Sequence, residues 1–302
     1  MDIFALSPEI HGALKNDQPV VALESTITTH GMPYPDNLET AHEVEDAVRN
    51  AGATPATIAV LDGRLHIGLS DPELEKLATL PDASKLSRAD LAVCLSRGGT
   101  GSTTVAATMI AAAQVGIAVF ATGGIGGVHR GAEHSFDISA DLQELAQTPV
   151  TVVSAGAKAI LDLPKTLEVL ETFGVPVIAY GQDSFPAFWS ATSHLTAPLR
   201  MDSAMQIAVA HGMRNALNLP GGQLVANPIP EDDEIPAEQL EPLIRRAISE
   251  AEVAGINGKA LTPFLLKRIF ELTEGKSLRA NIALILNNAR LASRIAIEIA
   301  KL

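Results

Sequence analysis

The sequence is poor in cysteine and in positive charge. Its 302 residues include one cysteine, Cys94, which excludes an internal disulfide and any cysteine-rich metal site and fits a reducing cytoplasm. Lysine and arginine number 22 against 35 aspartates and glutamates, so the formal net charge is −13. This balance argues against binding nucleic acid or an anionic membrane surface, because both need basic patches. An anionic substrate would need a local cluster of donors.

The sequence also lacks a signal peptide and a convincing membrane span. Its N-terminal stretch, MDIFALSPEIHGALKNDQ, contains acidic residues and no apolar core flanked by basic ones. Residues 98–128 contain no Asp, Glu, Lys, Arg or His, but glycines and polar side chains interrupt this run. We therefore expect a buried alanine-rich helix followed by a buried strand, with no membrane association and a cytoplasmic location.

Apolar runs typical of buried strands alternate with segments of helical periodicity. This order predicts an α/β fold with a largely parallel central sheet flanked by helices, followed by a helical C-terminal layer. We see no internal repeat or low-complexity linker, which favours one domain over residues 1–302. The predicted strands are 19–24, 57–61, 64–67, 117–122, 150–154, 175–180 and 223–226. The predicted helices are 37–50, one starting at 71, 102–115, 140–146, 163–173, 203–218, 237–254, 262–273 and 277–300.

Lys158 follows the predicted strand 150–154 and is surrounded by small and apolar residues. Desolvation lowers the pKa of a lysine, and a neutral amine is a nucleophile towards carbon. A surface lysine at a strand end is the alternative. Glu24 ends the first predicted strand, where α/β folds place ligand chemistry, although it could instead pair with a base or cap a turn.

The sequence has two glycine-rich segments, one that leads into a predicted helix and one at the end of a predicted strand. Residues 98–104 (GGTGSTT) lead into a predicted helix, whose N-terminus could bind a phosphate, but the segment is not a Walker loop and could be a plain connection. Residues 122–127 (TGGIGG) follow a strand but lack the dinucleotide-binding spacing. A tight turn beneath a ligand is the better interpretation of the second segment.

Polar residues are densest between His129 and Asp141. Asp137 and Asp141 could bind Mg²⁺ or Mn²⁺ through carboxylate oxygens, although Asp137 or Ser139 could instead cap the next helix. Further on, Asn281 and the pair 287–288 lie on a largely apolar helix. Amides in such a place hydrogen-bond within the core or read a nucleobase or a sugar hydroxyl, and their spacing does not decide between these roles.

Taken together, several segments resemble the pseudouridine-5′-phosphate glycosidase family. The resemblance extends over roughly residues 8–300, and its long glycine-rich string is highly specific. The segments that carry it are 22–27 (ALESTI), 30–33 (HGMP), 103–106 (TTVA), 121–131 (ATGGIGGVHRG), 137–141 (DISAD), 155–158 (AGAK), 160–162 (ILD), 225–230 (VANPIP), 262–266 (TPFLL) and 280–283 (ANIA).

The resemblance implies reversible cleavage of the C–C glycosidic bond of pseudouridine 5′-phosphate to uracil and ribose 5-phosphate. It implies a divalent metal, usually Mn²⁺, and a homotrimer. Lys158 matches the family's nucleophile, Glu24 its proton donor and Asp137 its metal ligand. The positions that match substrate contacts or further active-site polar groups are Lys85, Val105, Ser139, Ala140, Asp141, His129 and Asn281. The alternatives are another lysine-imine lyase or aldolase acting on a sugar phosphate, and a regulatory module that binds a nucleotide or sugar phosphate.

Overall fold

The structure is a computed structural model that describes residues 3–81 and 83–302. Eleven strands are assigned within these residues. They are β1 (Phe4–Leu6), β2 (Val20–Leu23), β3 (Thr54–Leu61), β4 (Arg64–Ile67), β5 (Ser84–Leu86), β6 (Gly101–Thr103), β7 (Val119–Ala121), β8 (Thr151–Ser154), β9 (Val177–Tyr180), β10 (Leu199–Met201) and β11 (Gln223–Ala226). All of them join one sheet, in the order β1-β4-β3-β2-β7-β8-β11-β9-β10, with β6 paired to β3 and β5 paired to β6.

The central part of this sheet is parallel, as predicted. The run from β3 to β10 in the sheet order consists of parallel pairs. β4 and β6 are antiparallel to β3, and the turn at Asp62 and Gly63 forms the predicted hairpin. Four of the parallel strands, β2, β7, β8 and β11, are buried along their whole length, which is why none of them contains a charged residue.

The helices follow the predicted order. They are α1 (Pro8–Lys15), α2 (Asp36–Asn50), α3 (Asp71–Ala78), α4 (Arg88–Ser96), α5 (Val105–Gln114), α6 (Ala132–Ser135), α7 (Ala140–Gln147), α8 (Leu163–Thr172), α9 (Ala204–Ala216), α10 (Ala237–Val253), α11 (Leu261–Leu272) and α12 (Lys276–Ile299). A π-helix covers Ile27–Gly31, and 3₁₀ turns cover Glu231–Asp233 and Gly258–Ala260. No helix among the described residues is long and apolar enough to cross a bilayer.

The predicted helix 102–115 was wrong at its start. Residues 101–103 form strand β6, and Thr104 caps the helix by accepting a hydrogen bond from the Ala107 N–H. The prediction also omitted the short strands β1, β5 and β10 and the helices α1, α4 and α6. The three C-terminal helices agree with the predicted ranges to within one residue at each end.

The main hydrophobic core extends from Ile10 near the start of the chain to Ala296 in α12. α12 packs on β2, β7 and β8 and against α2 and α9, whereas α5 packs on β2, β3 and β7 beside α7. α10 and α11 pack on each other, and α11 contacts α12 and the π-helix. The helical C-terminal layer therefore contributes α12 to the cover of the sheet. That the chain forms one domain remains a prediction.

Candidate active site

The neighbouring strands β2, β7 and β8 end side by side at one edge of the sheet. Leu23 pairs with Ala121, and Ala121 pairs with Val153, so the residues that follow each strand emerge together. Glu24 follows β2, Thr122 follows β7, and the segment to Lys158 follows β8. The carboxyl edge of a parallel sheet is where α/β folds bind ligands. The fold thus brings Glu24 and the Lys158 segment to such an edge.

Glu24 is held by two threonine hydroxyls. The Thr122 hydroxyl donates to one carboxylate oxygen, and the Thr26 hydroxyl donates to the other. Thr122 is completely buried and Glu24 is half-buried, so the carboxylate has a fixed position at the edge of the core. Neither threonine was predicted as a site residue, although Thr122 ends the predicted strand 117–122, which was a usable signal.

Lys158 lies in the loop after β8 and is half-buried. Its backbone N–H donates to the Ile125 carbonyl at 3.1 Å, and its carbonyl accepts from the Leu161 N–H at 3.0 Å. The first of these bonds fastens the lysine to the glycine-rich segment 122–127 that follows β7. Among the described residues, no carboxylate forms an ion pair with its amine. Lys158 is therefore neither buried in the core nor extended freely into solvent.

Two lysines and two histidines form a basic group beside this loop. The pKa of His129 is lowered by burial and by the positive charges of Lys158 and Lys85, while the Asp137 carboxylate acts in the opposite direction. The pKa of His30 is lowered by burial and by Lys85. Positive charge is thus concentrated locally in a chain with a net charge of −13. This is the local cluster that an anionic substrate would require. His30 was not singled out from the sequence.

Asp137 lies beside His129 in this group. Its carbonyl accepts the His129 N–H at 3.0 Å, and its carboxylate makes no hydrogen bond or ion pair among the described residues. The residues on either side, Phe136 and Ile138, are 81% and 44% exposed, and Phe136 has a left-handed backbone with φ of 54°. Exposed apolar side chains and backbone strain both occur often at ligand sites.

A metal at this position would have few protein ligands. No group of three or more His, Cys, Asp or Glu side chains in the described part of the chain is arranged to hold an ion. Mg²⁺ and Mn²⁺ are hard ions that favour carboxylate oxygen and water, and Mg²⁺ commonly keeps several waters. The unpartnered Asp137 carboxylate fits a hydrated ion of this kind, with His129 beside it.

The segment 139–141 begins α7. The Ser139 hydroxyl accepts the Asp141 N–H at 3.2 Å, so Ser139 is the helix cap, one of the two alternatives that the sequence left open. The Asp141 carboxylate is buried, with 6% of the residue exposed. It accepts the N–H of Ala106 at 3.0 Å and that of Gly126 at 2.8 Å. Ala140 is exposed. Asp141 therefore joins the start of α5 to the glycine-rich segment after β7.

Residues 101–103 of the segment 98–104 form strand β6, and a phosphate site in this segment stays a prediction beside the alternative of a plain connection. Gly101 lies in β6, where a Cβ atom would come within 2.4 Å of the Ser84 carbonyl, so this glycine permits close strand packing. The N-terminal amides of α5 are already bonded to Asp141 and to Thr104. Val105, the first residue of α5, is 2% exposed, so it belongs to the core at the start of this helix.

The asparagines of α12 have different surroundings. Asn288 is completely buried, donates to the Thr122 carbonyl at 2.9 Å and accepts from the Asn227 amide at 3.1 Å. Asn281 is half-buried and accepts the indole N–H of Trp189 at 2.6 Å. Asn288 is thus a core residue that supports the segment after β7, whereas Asn281 keeps part of its amide accessible.

Comparison with known proteins agrees with this architecture. The family described as "Indigoidine synthase A like protein" matches residues 9–298. Pseudouridine-5′-phosphate glycosidase from Jannaschia sp. is 70% identical over 290 residues, which is 96% of each chain. The protein of the same name from Paracoccus denitrificans is 68% identical over 300 residues, or 99% of each chain.

Solved structures show the same fold. The prealnumycin C-glycosynthase AlnA, crystallised in complex with ribulose 5-phosphate, superposes with a TM-score of 0.92 at 40% identity, covering 100% of this chain and 98% of that one. An indigoidine synthase A-like protein from Thermotoga maritima superposes with a TM-score of 0.90 at 33% identity, covering 99% and 97%. The chain therefore belongs to the indigoidine synthase A like family and to its pseudouridine-5′-phosphate glycosidases.

Proposed function

We propose that the protein reversibly cleaves the C–C glycosidic bond of pseudouridine 5′-phosphate to give uracil and ribose 5-phosphate. The observation that carries the proposal is the arrangement at the sheet edge. A fixed carboxylate, Glu24, and a half-buried lysine without a carboxylate partner, Lys158, follow strands on either side of β7. Relatives with 68–70% identity along nearly the whole chain carry this activity in their names.

The bond to be broken explains why a lysine is used. Ordinary glycosidases place two carboxylates around an oxocarbenium-like transition state. That route suits an oxygen or nitrogen leaving atom, whereas the uracil carbon C5 leaves poorly. Attack of an amine on C1′ opens the ribose ring. The nitrogen lone pair then forms the imine as the C1′–C5 bond breaks, and the electron pair of that bond goes to uracil C5, which takes a proton.

In the proposed reaction, Glu24 protonates the ring oxygen while the Lys158 amine attacks C1′. The C–C bond then breaks as uracil C5 takes a proton, and water releases ribose 5-phosphate from the lysine. The oxygen of that water becomes the carbonyl oxygen of the open sugar. Its two hydrogens balance those gained by the ring oxygen and by C5, so the complete reaction consumes no proton.

The basic group is proposed to bind the substrate. Lys85 is proposed to pair with the 5′-phosphate. Its side chain is partly exposed, and its positive charge acts on His30 and His129, which places it within the basic group. His129, whose pKa is lowered, presents a neutral imidazole that can hydrogen-bond the sugar or the base. The other proposed contacts come from the start of two helices and from α12, namely Val105, Ser139, Ala140, Asp141 and Asn281.

Mn²⁺ is proposed as the cofactor, held by Asp137 with water in its other positions. When bound, the ion would orient and polarise a carbonyl of the base. The support is the unpartnered carboxylate of Asp137 beside His129. We expect calorimetry to show weaker Mn²⁺ binding in Asp137→Asn than in the wild-type protein. We also expect wild-type protein to lose activity after treatment with a chelator. Full activity after chelation would exclude the assignment.

We further propose that the protein is a cytoplasmic homotrimer. Met205, Val209, Met213 and Leu217 recur every four residues along α9 and are 37–69% exposed, an apolar stripe that a second copy of the chain would cover. The free thiol of Cys94 is compatible with a reducing compartment. Light scattering on wild-type protein and Met213→Asp tests the trimer, since the substitution should shift the mass towards the monomer.

The experiment that tests the function is borohydride trapping. Ribose 5-phosphate and borohydride should attach a sugar to the peptide that contains Lys158, and Lys158→Ala should prevent it. Lys165→Ala is the matched control, because Lys165 lies nearby in the chain but is exposed and paired with Glu133 and Asp162. The trapping is run with and without Mn²⁺.

The released base separates this function from its alternative. Uracil formed from pseudouridine 5′-phosphate identifies the glycosidase. Trapping at Lys158 without release of uracil would instead identify another lysine-imine lyase or aldolase, and labelling that persists in Lys158→Ala would remove Lys158 from the mechanism.

A further inference from the structure

A small cavity lies against Glu24, between the end of β2, the π-helix, α2 and α12. Its volume is about 30 Å³, which is room for about two water molecules and too little for a pyrimidine ring. Most of its lining is apolar, and its polar side chains are Glu24, Thr28 and Thr57. A buried water needs two to four polar partners, so three groups around this volume meet the requirement.

Thr28 provides the second observation. The residue is 1% exposed, and its hydroxyl has no hydrogen-bond partner among the described residues. Its backbone is fully engaged, because its N–H donates to the Ser25 carbonyl and its own carbonyl accepts from Asn37. A buried hydroxyl without a partner is costly unless water satisfies it, so the orphaned group and the cavity point to the same ligand.

Thr57 connects the cavity to a buried acid. Its hydroxyl donates to the carboxylate of Glu45, which lies on α2 and is 8% exposed. Burial raises the pKa of Glu45. The Thr57 hydrogen bond and the charges of Arg49 and His42 oppose this rise, and Asp71 adds to it. Glu45 is therefore a buried carboxyl that keeps its proton to a higher pH than an exposed glutamate does. The half-exposed His42 lies beside it, towards solvent.

We propose that the cavity binds one or two water molecules, and that this water connects Glu24 through Thr57 to Glu45 as the path by which Glu24 recovers its proton in each turnover. The inference rests on the proposed role of Glu24 as proton donor. Glu45 does not touch the substrate and acts only through Thr57 and the cavity water.

The protons given and received balance over one turnover. Glu24 gives one proton to the ring oxygen and becomes a carboxylate. When Glu45 is protonated its O–H donates to Thr57, and the Thr57 hydroxyl turns from Glu45 to the cavity water. The water then gives one proton to Glu24, Thr57 passes one to the water, and Glu45 passes one to Thr57. Glu45 regains a proton from solvent, and solvent receives one from the water that hydrolyses the imine. No electron is transferred.

The first test is the cavity itself. A high-resolution crystal structure of the wild-type protein should show one or two waters bonded to the Thr28 hydroxyl, and Thr28→Val should lose at least one of them. A dry cavity in the wild-type protein overturns the inference, and this result does not depend on which substrate the enzyme uses.

The second test is kinetic. Glu45→Gln keeps a hydrogen-bond acceptor for Thr57 but removes the exchangeable carboxyl proton. We expect kcat for uracil release to fall about 10-fold, less than the about 10²–10⁴-fold loss of a general acid. We also expect a larger solvent deuterium isotope effect, a changed pH profile and an unchanged KM. Thr28→Val should behave similarly, with activity restored in Thr28→Ser.

Thr151→Val is the matched control, because Thr151 is a buried threonine at the start of β8 that bonds His211 and Gln223. It should keep the wild-type kcat and isotope effect. Folded Glu45→Gln with wild-type kcat, pH profile and isotope effect overturns the relay while the proposed function stands. If the wild-type protein itself releases no uracil from pseudouridine 5′-phosphate, it is the proposed function that fails.

Discussion

The two sides of the candidate site are built in different ways. On the acid side, which comprises Glu24, Thr26 and Thr122, the carboxylate is held by hydroxyls at both oxygens. On the basic side, which comprises Lys85, His129, Asp137 and Lys158, the groups are half-buried, and the Lys158 amine and the Asp137 carboxylate make no hydrogen bond or ion pair among the described residues. A fixed donor suits catalysis, because it needs no reorganisation in the transition state. Unpartnered groups suit binding, because the ligand completes them.

The two sides also differ in how the core holds them. Asn288 holds the Thr122 carbonyl from the core, so the acid side is connected to α12 through buried hydrogen bonds. Asp137 follows Phe136, which is largely exposed and has a left-handed backbone. Substitutions on the acid side should therefore act mainly on kcat, and those on the basic side other than at the nucleophile Lys158 mainly on binding.

The largest effect is expected for Glu24→Gln. The amide keeps the shape and can still bond one of the two threonine hydroxyls, but it cannot deliver a proton to the ring oxygen. We expect kcat to fall by about 10²–10⁴-fold, the usual contribution of general acid catalysis, with KM nearly unchanged. Steady-state assays of uracil release measure both constants. Unchanged turnover would remove Glu24 from the mechanism.

A smaller effect with the opposite signature is expected for Lys85→Ala. A hydrogen bond to a charged group contributes about 1.5–3 kcal/mol, and the lower end applies to a half-exposed lysine, which corresponds to a rise in KM of about 10-fold. kcat should change little. Lys76→Ala is the control, since Lys76 is an exposed lysine paired with Asp62 at the surface. An unaltered KM in Lys85→Ala would exclude the phosphate contact.

The acid and basic sides also differ in how far the sequence predicted them. Glu24 and Lys158 could be placed because each follows an apolar strand, and the carboxyl ends of parallel strands meet at one edge. The bond from Thr122 to Glu24 could not be predicted, because it depends on β7 lying next to β2, although residues 24–118, 95 in all, separate the two strands along the chain.

Local signals explain the remaining differences in the fold. The strands β1, β5 and β10 are three residues long and only partly buried, so they show no sustained apolar run. The start of α5 was misplaced because Ser102 and Thr103 are as compatible with a strand as with the first turn of a helix. His30 was not predicted as a site residue, because its place beside Lys85 depends on two segments that are distant in the chain.

An intermediate test of the acid side is Asn288→Ala. The substitution leaves the Thr122 carbonyl and the Asn227 amide without their partner in a fully buried place, which should cost about 1–3 kcal/mol of the free energy of unfolding. Because Thr122 holds Glu24, we expect kcat to fall a few-fold at unchanged KM, and chemical denaturation to measure the loss of stability. Asn287→Ala, which removes a bond to the Pro228 carbonyl, is the control. Equal kcat values in the two variants would separate Asn288 from the acid side.

The smallest effect is a shift in the titration of His30. Lys85 lowers the pKa of His30, because its positive charge disfavours the imidazolium, and burial lowers it further. In Lys85→Ala the pKa of His30 should therefore rise, yet stay below the ordinary value of histidine, since burial is the larger cause. NMR titration of the imidazole signals measures this, with His30→Gln to assign the resonance. His211 serves as an internal reference, because its pKa is lowered by burial and by Arg214, neither of which Lys85 affects. A His30 titration that is the same with and without Lys85 would show that the two side chains do not share one site, and the basic side would then have to bind the phosphate without Lys85.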